Sequence, residues 1–257
     1  MKSHHVDLLN EAIAPALTRL ALPIMATSLV QMLYNLTDMA WIGRLGAGAV
    51  TAVGSAGMYT WFSQGLAAMA RMGGQVQVAQ CIGRGERKKA HGFAQAAVQL
   101  AAVMGIMYAV ICLVFAEQMV GFFQLADAEA HAAAMSYTKI ACGLIVFSFM
   151  TLTLTGLYTA QGDSKTPFLA NLIGLVTNMI LDPVLILGPG PFPKLGVTGA
   201  AIATVTAQAI VMSIMALAVI IRKKENVLKG IHLLAKIPRE YLGGICRIGI
   251  PTAVQGM

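Results

Sequence analysis

Hydrophobic positions gather into six stretches long enough to cross a bilayer, at residues 17–42, 50–73, 93–116, 132–160, 167–187 and 196–221. Several exceed the minimum, so tilted spans are predicted. Closed barrels also satisfy backbone polar groups in lipid, but their strands alternate apolar and polar residues, and the run 169–186 does not alternate. A helical bundle is predicted.

The longest polar connection, 225–241, places Ile231, Leu234 and Ile237 at helical spacing among Lys229, Lys236 and Arg239, the pattern of a helix lying on a membrane face. After it, Cys246-Arg-Ile-Gly-Ile-Pro-Thr-Ala parallels Thr18-Arg-Leu-Ala-Leu-Pro-Ile-Met, setting Arg247 and Pro251 where Arg19 and Pro23 stand. Such a restart predicts one half of a duplicated carrier. The expected division is a six-helix transmembrane lobe over 1–224, an amphipathic linker over 225–241, and the start of a C-terminal lobe over 242–257, cut short in a seventh span.

Composition agrees: 57% of residues are hydrophobic and 11% charged, more apolar material than a soluble core of this size uses. The fold class expected is thus an all-α integral membrane protein. Lys2 and Arg19, then Arg84, Arg87, Lys88 and Lys89, then Lys165, then Arg222, Lys223, Lys224, Lys229, Lys236 and Arg239 fall on one side of the predicted spans. The other side holds Arg44, Glu117, Asp127, Glu129 and Lys194. This asymmetry predicts a cytoplasmic N-terminus, and it makes the net charge of +7 a topology signal rather than a sign of nucleic-acid binding.

Asp7 and Glu11 interrupt the region where a signal peptide would need its apolar core, so the first span is expected to stay attached. Cys81, Cys112, Cys142 and Cys246 form no Cys-x-x-Cys pair and read as packing residues. The five histidines show no metal spacing, and no cofactor is expected. Gly83-Arg-Gly-Glu-Arg-Lys-Lys lacks the spacing of a phosphate loop and reads as a basic turn, and Asp163 reads as a turn or cap ahead of Pro167.

Against this apolar background Asp38 and Asp182 stand out as the carboxylates inside predicted spans, a costly placement that marks working groups. Gln31, Tyr34, Asn35 and Asp38 recur at spacings of three and four, one stripe of one helix. Asn171, Asn178 and Asp182 make a second stripe on the fifth span. Spans one and five run in the same direction, and each acid precedes its predicted outer end by six residues, so both are expected roughly 9 Å below that boundary. Pro183 lacks an amide proton and frees the carbonyl of Met179 on a bent helix. Carboxylates, Asn178 and a free carbonyl make an oxygen cluster able to hold sodium, with Asp38, Asn178 and Asp182 as its ligands, or to hold protons. The plainer alternative is that each Asp is a satisfied structural hydrogen-bonder.

These residues also carry a resemblance. Leu22-Pro23, Tyr34-Asn-Leu-Thr-Asp38, Gly43-Arg-Leu-Gly46, Gln161-Gly-Asp-Ser-Lys-Thr-Pro167, Asn178-Met-Ile-Leu-Asp-Pro183 and Gly196-Val-Thr-Gly-Ala-Ala-Ile-Ala-Thr204 together resemble the multidrug and toxic compound extrusion (MATE) family. The resemblance implies a bacterial or archaeal plasma-membrane carrier of twelve helices in two lobes, of which this chain is the N-terminal one. It implies an antiporter, not an enzyme, exporting cationic or amphiphilic drugs in exchange for Na+ or H+. Its partners would be those drugs, membrane lipids and the missing C-terminal lobe.

By the same resemblance Asp38, Asn178, Asp182 and Thr204 form an ion-coupling site, and Gln31, Tyr34, Asn35 and Tyr158 line the substrate cavity. Bending near Pro23 or Pro183 would follow ion occupancy. Two rivals are a lipid-linked sugar flippase, which needs Arg or Lys in its cavity for pyrophosphate, and an intramembrane aspartyl protease, which expects a Gly-x-Gly-Asp segment. Ala160-Gln-Gly-Asp163 lacks the first Gly, and the spans offer only Arg71 and Lys139 toward a basic cluster.

Overall fold

The computed structural model describes residues 25, 29, 32–33, 35–125, 127–188, 193–221, 226–232 and 238–255. Helices make up nearly all of it, and no strand occurs among the described residues. In chain order they are α1 (described over 35–43), α2 (Ala47–Gly83), α3 (Arg87–Val114), α4 (Ala116–Gly121), α5 (Ala128–Gly143), α6 (Val146–Ala160), α7 (Lys165–Leu187), α8 (Val197–Ile221) and α9 (Arg239–Gln255).

Among these α3, α7 and α8 are each long and apolar enough to cross a membrane, and α5 with α6 makes a fourth span bent by 45°. The fourth apolar stretch was expected as one rod. Its break falls where Gly143 packs on Leu113 and where Val146 fills the space beside Gly105 of α3. Together with α1 and α2 these elements form the six-transmembrane-helix bundle, and α9 begins a seventh helix. Lipid replaces water as the solvent of the outer faces: Val103, Ile106, Met107, Val110 and Val114 of α3, and Leu217, Ile220 and Ile221 of α8, are all exposed.

Interior packing relies on small residues, because in lipid close approach of helices has to supply the attraction that water supplies elsewhere. Ala90, Ala94, Ala97 and Ala101 bury one face of α3. A Cβ on Gly74 of α2 would lie 2.5 Å from that of Ala97. Gly188 ends α7 in the left-handed conformation at φ 63°, which a side chain would strain. The two orphan carbonyls before it are satisfied across the turn, as Leu195 N–H donates to Leu185 and Gly196 N–H to Ile186.

The connection after α8 departs from expectation. Residues 227–230 form a turn, Leu234 and Ile237 lie outside the described residues, and α9 starts at Arg239, inside the predicted linker. Long-range ties hold the turn in place. His91 Nδ1 meets the Val227 carbonyl at 2.7 Å, the Val227 N–H donates to Gln161 Oε1 at 2.9 Å, and Gln99 Nε2 donates to the His232 carbonyl at 2.7 Å.

From there α9 docks on α2 and α3 through glycine. Gly73 leaves room for the Ile245 backbone, Gly249 for that of Met69, and Gly244 for the Phe93 ring. Gln77 Nε2 donates to the Gly244 carbonyl at 3.1 Å, and Tyr241 meets Phe93 edge to face with centroids 4.8 Å apart.

Candidate functional site

Antiparallel pairing of α7 with α8, against α1, brings the two acids together. The carboxyls of Asp38 on α1 and Asp182 on α7 lie within hydrogen-bond reach of one another. Asp182 and Asn178 are each only 1% exposed, whereas Asp38 is half-buried. One turn before Asp182, the Asn178 amide nitrogen donates to Asp182 Oδ2 at 2.7 Å, and its oxygen accepts from the Thr204 N–H of α8 at 3.1 Å. Thr204 Oγ1 is 3.5 Å from the same amide head. Thus Asn178 braces Asp182, and its own oxygen faces α8.

Two buried oxygens, Asp38 Oδ1 and Asp182 Oδ1, have no hydrogen-bond partner among the described residues. Buried carboxylate oxygens need a compensating proton or cation. Hard oxygen ligands suit Na+, and no group of three His, Cys, Asp or Glu suited to another metal occurs among the described residues.

Beside the pair lie two adjoining cavities. The smaller, about 200 Å³, is lined by Asp38, Asn35, Gln64, Thr204 and Gln208 among others. The larger, about 510 Å³, is lined by Asn35, Trp61, Gln64, Thr151, Asn178 and Gln208 among others. Among the described residues neither lining includes Lys or Arg.

Asn35 lines both cavities. Gln31, Tyr34 and Pro23 lie outside the described residues, and Pro183 stands inside α7, which continues through it. Tyr158 corrects its expectation: the ring is 1% exposed within the core, and its hydroxyl donates to the Met215 carbonyl at 2.8 Å. A phenol hydroxyl in an apolar interior needs such an acceptor, and α8 supplies it.

Asp163, at the opposite end of α7, accepts from the Thr166 N–H at 3.1 Å and from Thr166 Oγ1 at 2.6 Å. Its nineteen-residue separation from Asp182 along one helix amounts to roughly 28 Å, so it cannot share a proton with the acid pair. Sequence reasoning passed over Gln64 and Gln208. The signal was present, since Trp61 and Gln64 are three apart, and Thr204 and Gln208 four apart, on single helices.

Comparison with known proteins follows the same line. The MatE family model matches residues 23–184. A probable multidrug resistance protein NorM of Thermotoga maritima is 29% identical over 93% of this chain and 51% of its own length. The probable multidrug resistance protein YoeA of Bacillus subtilis is 28% identical over 91% of this chain and 50% of its own. A solved outward-facing multidrug resistance MATE transporter matches with a TM-score of 0.86 and 26% identity, over all of this chain and 55% of that one. The chain therefore spans about half the length of the curated relatives it matches.

Proposed function

The chain belongs to the MatE family of multidrug efflux transporters, and from that premise we propose that it is the N-terminal lobe of a secondary active antiporter that exports cationic or amphiphilic drugs in exchange for Na+ or H+. One observation carries the reading. Asp38 and Asp182, from two different helices, meet beside a polar cavity with buried oxygens that have no partner among the described residues. Two like charges so close, out of water, repel one another, and a sodium ion or a proton between them removes that cost.

The entering ion has to favour one arrangement of the lobe over the other, since an ion bound equally by both shifts nothing. Asn178 supplies the link, because it joins Asp182 on α7 to the backbone of α8. Ion entry that relieves the acid pair loosens or tightens this brace, and the wall of the cavity moves with it. The positive-inside pattern supports a plasma-membrane orientation with the N-terminus in the cytoplasm.

In the complete carrier, Asp38→Asn should abolish efflux driven by an imposed ion gradient in membrane vesicles. Sodium and proton gradients imposed separately identify the coupling ion. Drug efflux that stays gradient-driven in the variant would overturn the role of the pair.

A further inference from the structure

Three side-chain amides that the ion cluster leaves unused converge where the two cavities meet. Asn35 from α1, Gln64 from α2 and Gln208 from α8 each line both cavities. None of the three side chains has a hydrogen-bond partner among the described residues. Several other amides of the lobe are spent: Asn171 Nδ2 donates to the Pro167 carbonyl, Gln77 ties α2 to α9, Gln161 holds the turn at Val227, and Asn178 braces Asp182.

A free amide shows a donor and an acceptor side by side, and it pairs with a ring edge that shows the complement, as Asn and Gln do with adenine. Trp61, three residues from Gln64 on α2, is 63% exposed and lines the larger cavity, offering a flat face on which such a ring stacks. The cavity volume of about 510 Å³ is of the size that takes a small organic molecule. A solute without hydrogen-bonding groups would strip water from the amide N–H donors without replacing those bonds, a cost that a complementary edge avoids.

We propose that this cavity selects a neutral, planar heteroaromatic solute carrying adjacent N–H and C=O groups on its ring edge, a lactam or an imide. Gln64 and Gln208 are its specificity-determining residues, Asn35 supports them, and Trp61 stacks on the ring. The assignment rests on the efflux reading above and narrows its amphiphilic class.

Equilibrium binding to the complete purified carrier, with no gradient imposed, tests it. Riboflavin, which has a neutral ring system with an imide edge, is compared with its N3-methyl derivative, in which the imide donor is blocked. On the unaltered protein the methyl derivative should bind at least about tenfold more weakly, as loss of a bidentate pair implies. Gln64→Leu and Gln208→Leu should each weaken riboflavin by about tenfold or more while leaving the melting temperature near that of the parent.

Equal binding of the two flavins, riboflavin affinity unchanged in both variants, or no riboflavin binding at all would overturn the proposal. Because no gradient enters the measurement, failure of ion coupling in Asp38→Asn leaves this discrimination untouched, and the two readings fail separately.

Discussion

Gly199→Ala probes the geometry on which the ion cluster depends. An added methyl group there would face backbone of α7, at 2.6 Å from the Leu185 carbonyl carbon and 3.0 Å from Ile186 N. Backbone cannot rotate aside as a side-chain tip can, so α7 and α8 would have to part by about 0.9 Å to restore ordinary carbon–carbon contact. The gap opens beside the acids, since Leu185 follows Asp182 by three residues and Thr204 follows Gly199 by five. A 3.1 Å bond between the Thr204 N–H and the Asn178 oxygen does not survive such a shift.

Overpacking of this kind costs about 1–3 kcal/mol. Alanine regains at most about 1 kcal/mol over glycine through helix propensity, so the net effect is destabilising. Gly54→Ala, where the methyl group meets nothing within 4 Å, is the control. Thermal melting of the complete purified carrier should show a lowered midpoint for Gly199→Ala and an equal or higher one for Gly54→Ala. Ion dependence of efflux should weaken only in the former. A Gly199→Ala protein with parental melting and parental ion dependence would refute the tight α7–α8 crossing as the support of the site.

Other expectations follow from single contacts. Tyr158→Phe removes the hydroxyl's bond to the Met215 carbonyl and should cost about 0.5–1.5 kcal/mol, with the range of exported substrates unchanged; an altered range would return this ring to the cavity wall. Asp163→Ala removes the cap that opens α7 and should cost about 0.5–2 kcal/mol in a melting experiment, and no loss would show the cap to be idle. Gly249→Ala would press on the Met69 backbone and loosen α9 from α2. Added protease should then cut the 226–238 connection faster than in the parent, and equal rates would argue against the docking.

Apolar run length made the helices legible in the sequence, and i, i+4 spacing made Asn178 and Asp182 legible as one face. Convergence of that face with Asp38 also followed, because both acids sit at similar distances from helix ends. What stayed hidden depends on contacts between distant residues. The break at Gly143 has no proline to announce it, and the packing that accompanies it involves Leu113 and Gly105 of α3, distant in sequence. Tyr158 looked like a wall residue because nothing local says that Met215 offers it a carbonyl. Gln64 and Gln208 carry little signal alone, and they matter because three helices bring them to one spot. Asn178 was identifiable as a member of the cluster, but the direction of its amide is set by Asp182 and Thr204.

The interlock of α9 with α2 bears on how such carriers can be recombined. Gly73, Gly244 and Gly249 mesh α9 with the body formed by the first six spans. Chimeras spliced ahead of α9 would confront each helix with a foreign groove, so an exchange has to carry α9 together with the α2 and α3 surfaces that receive it.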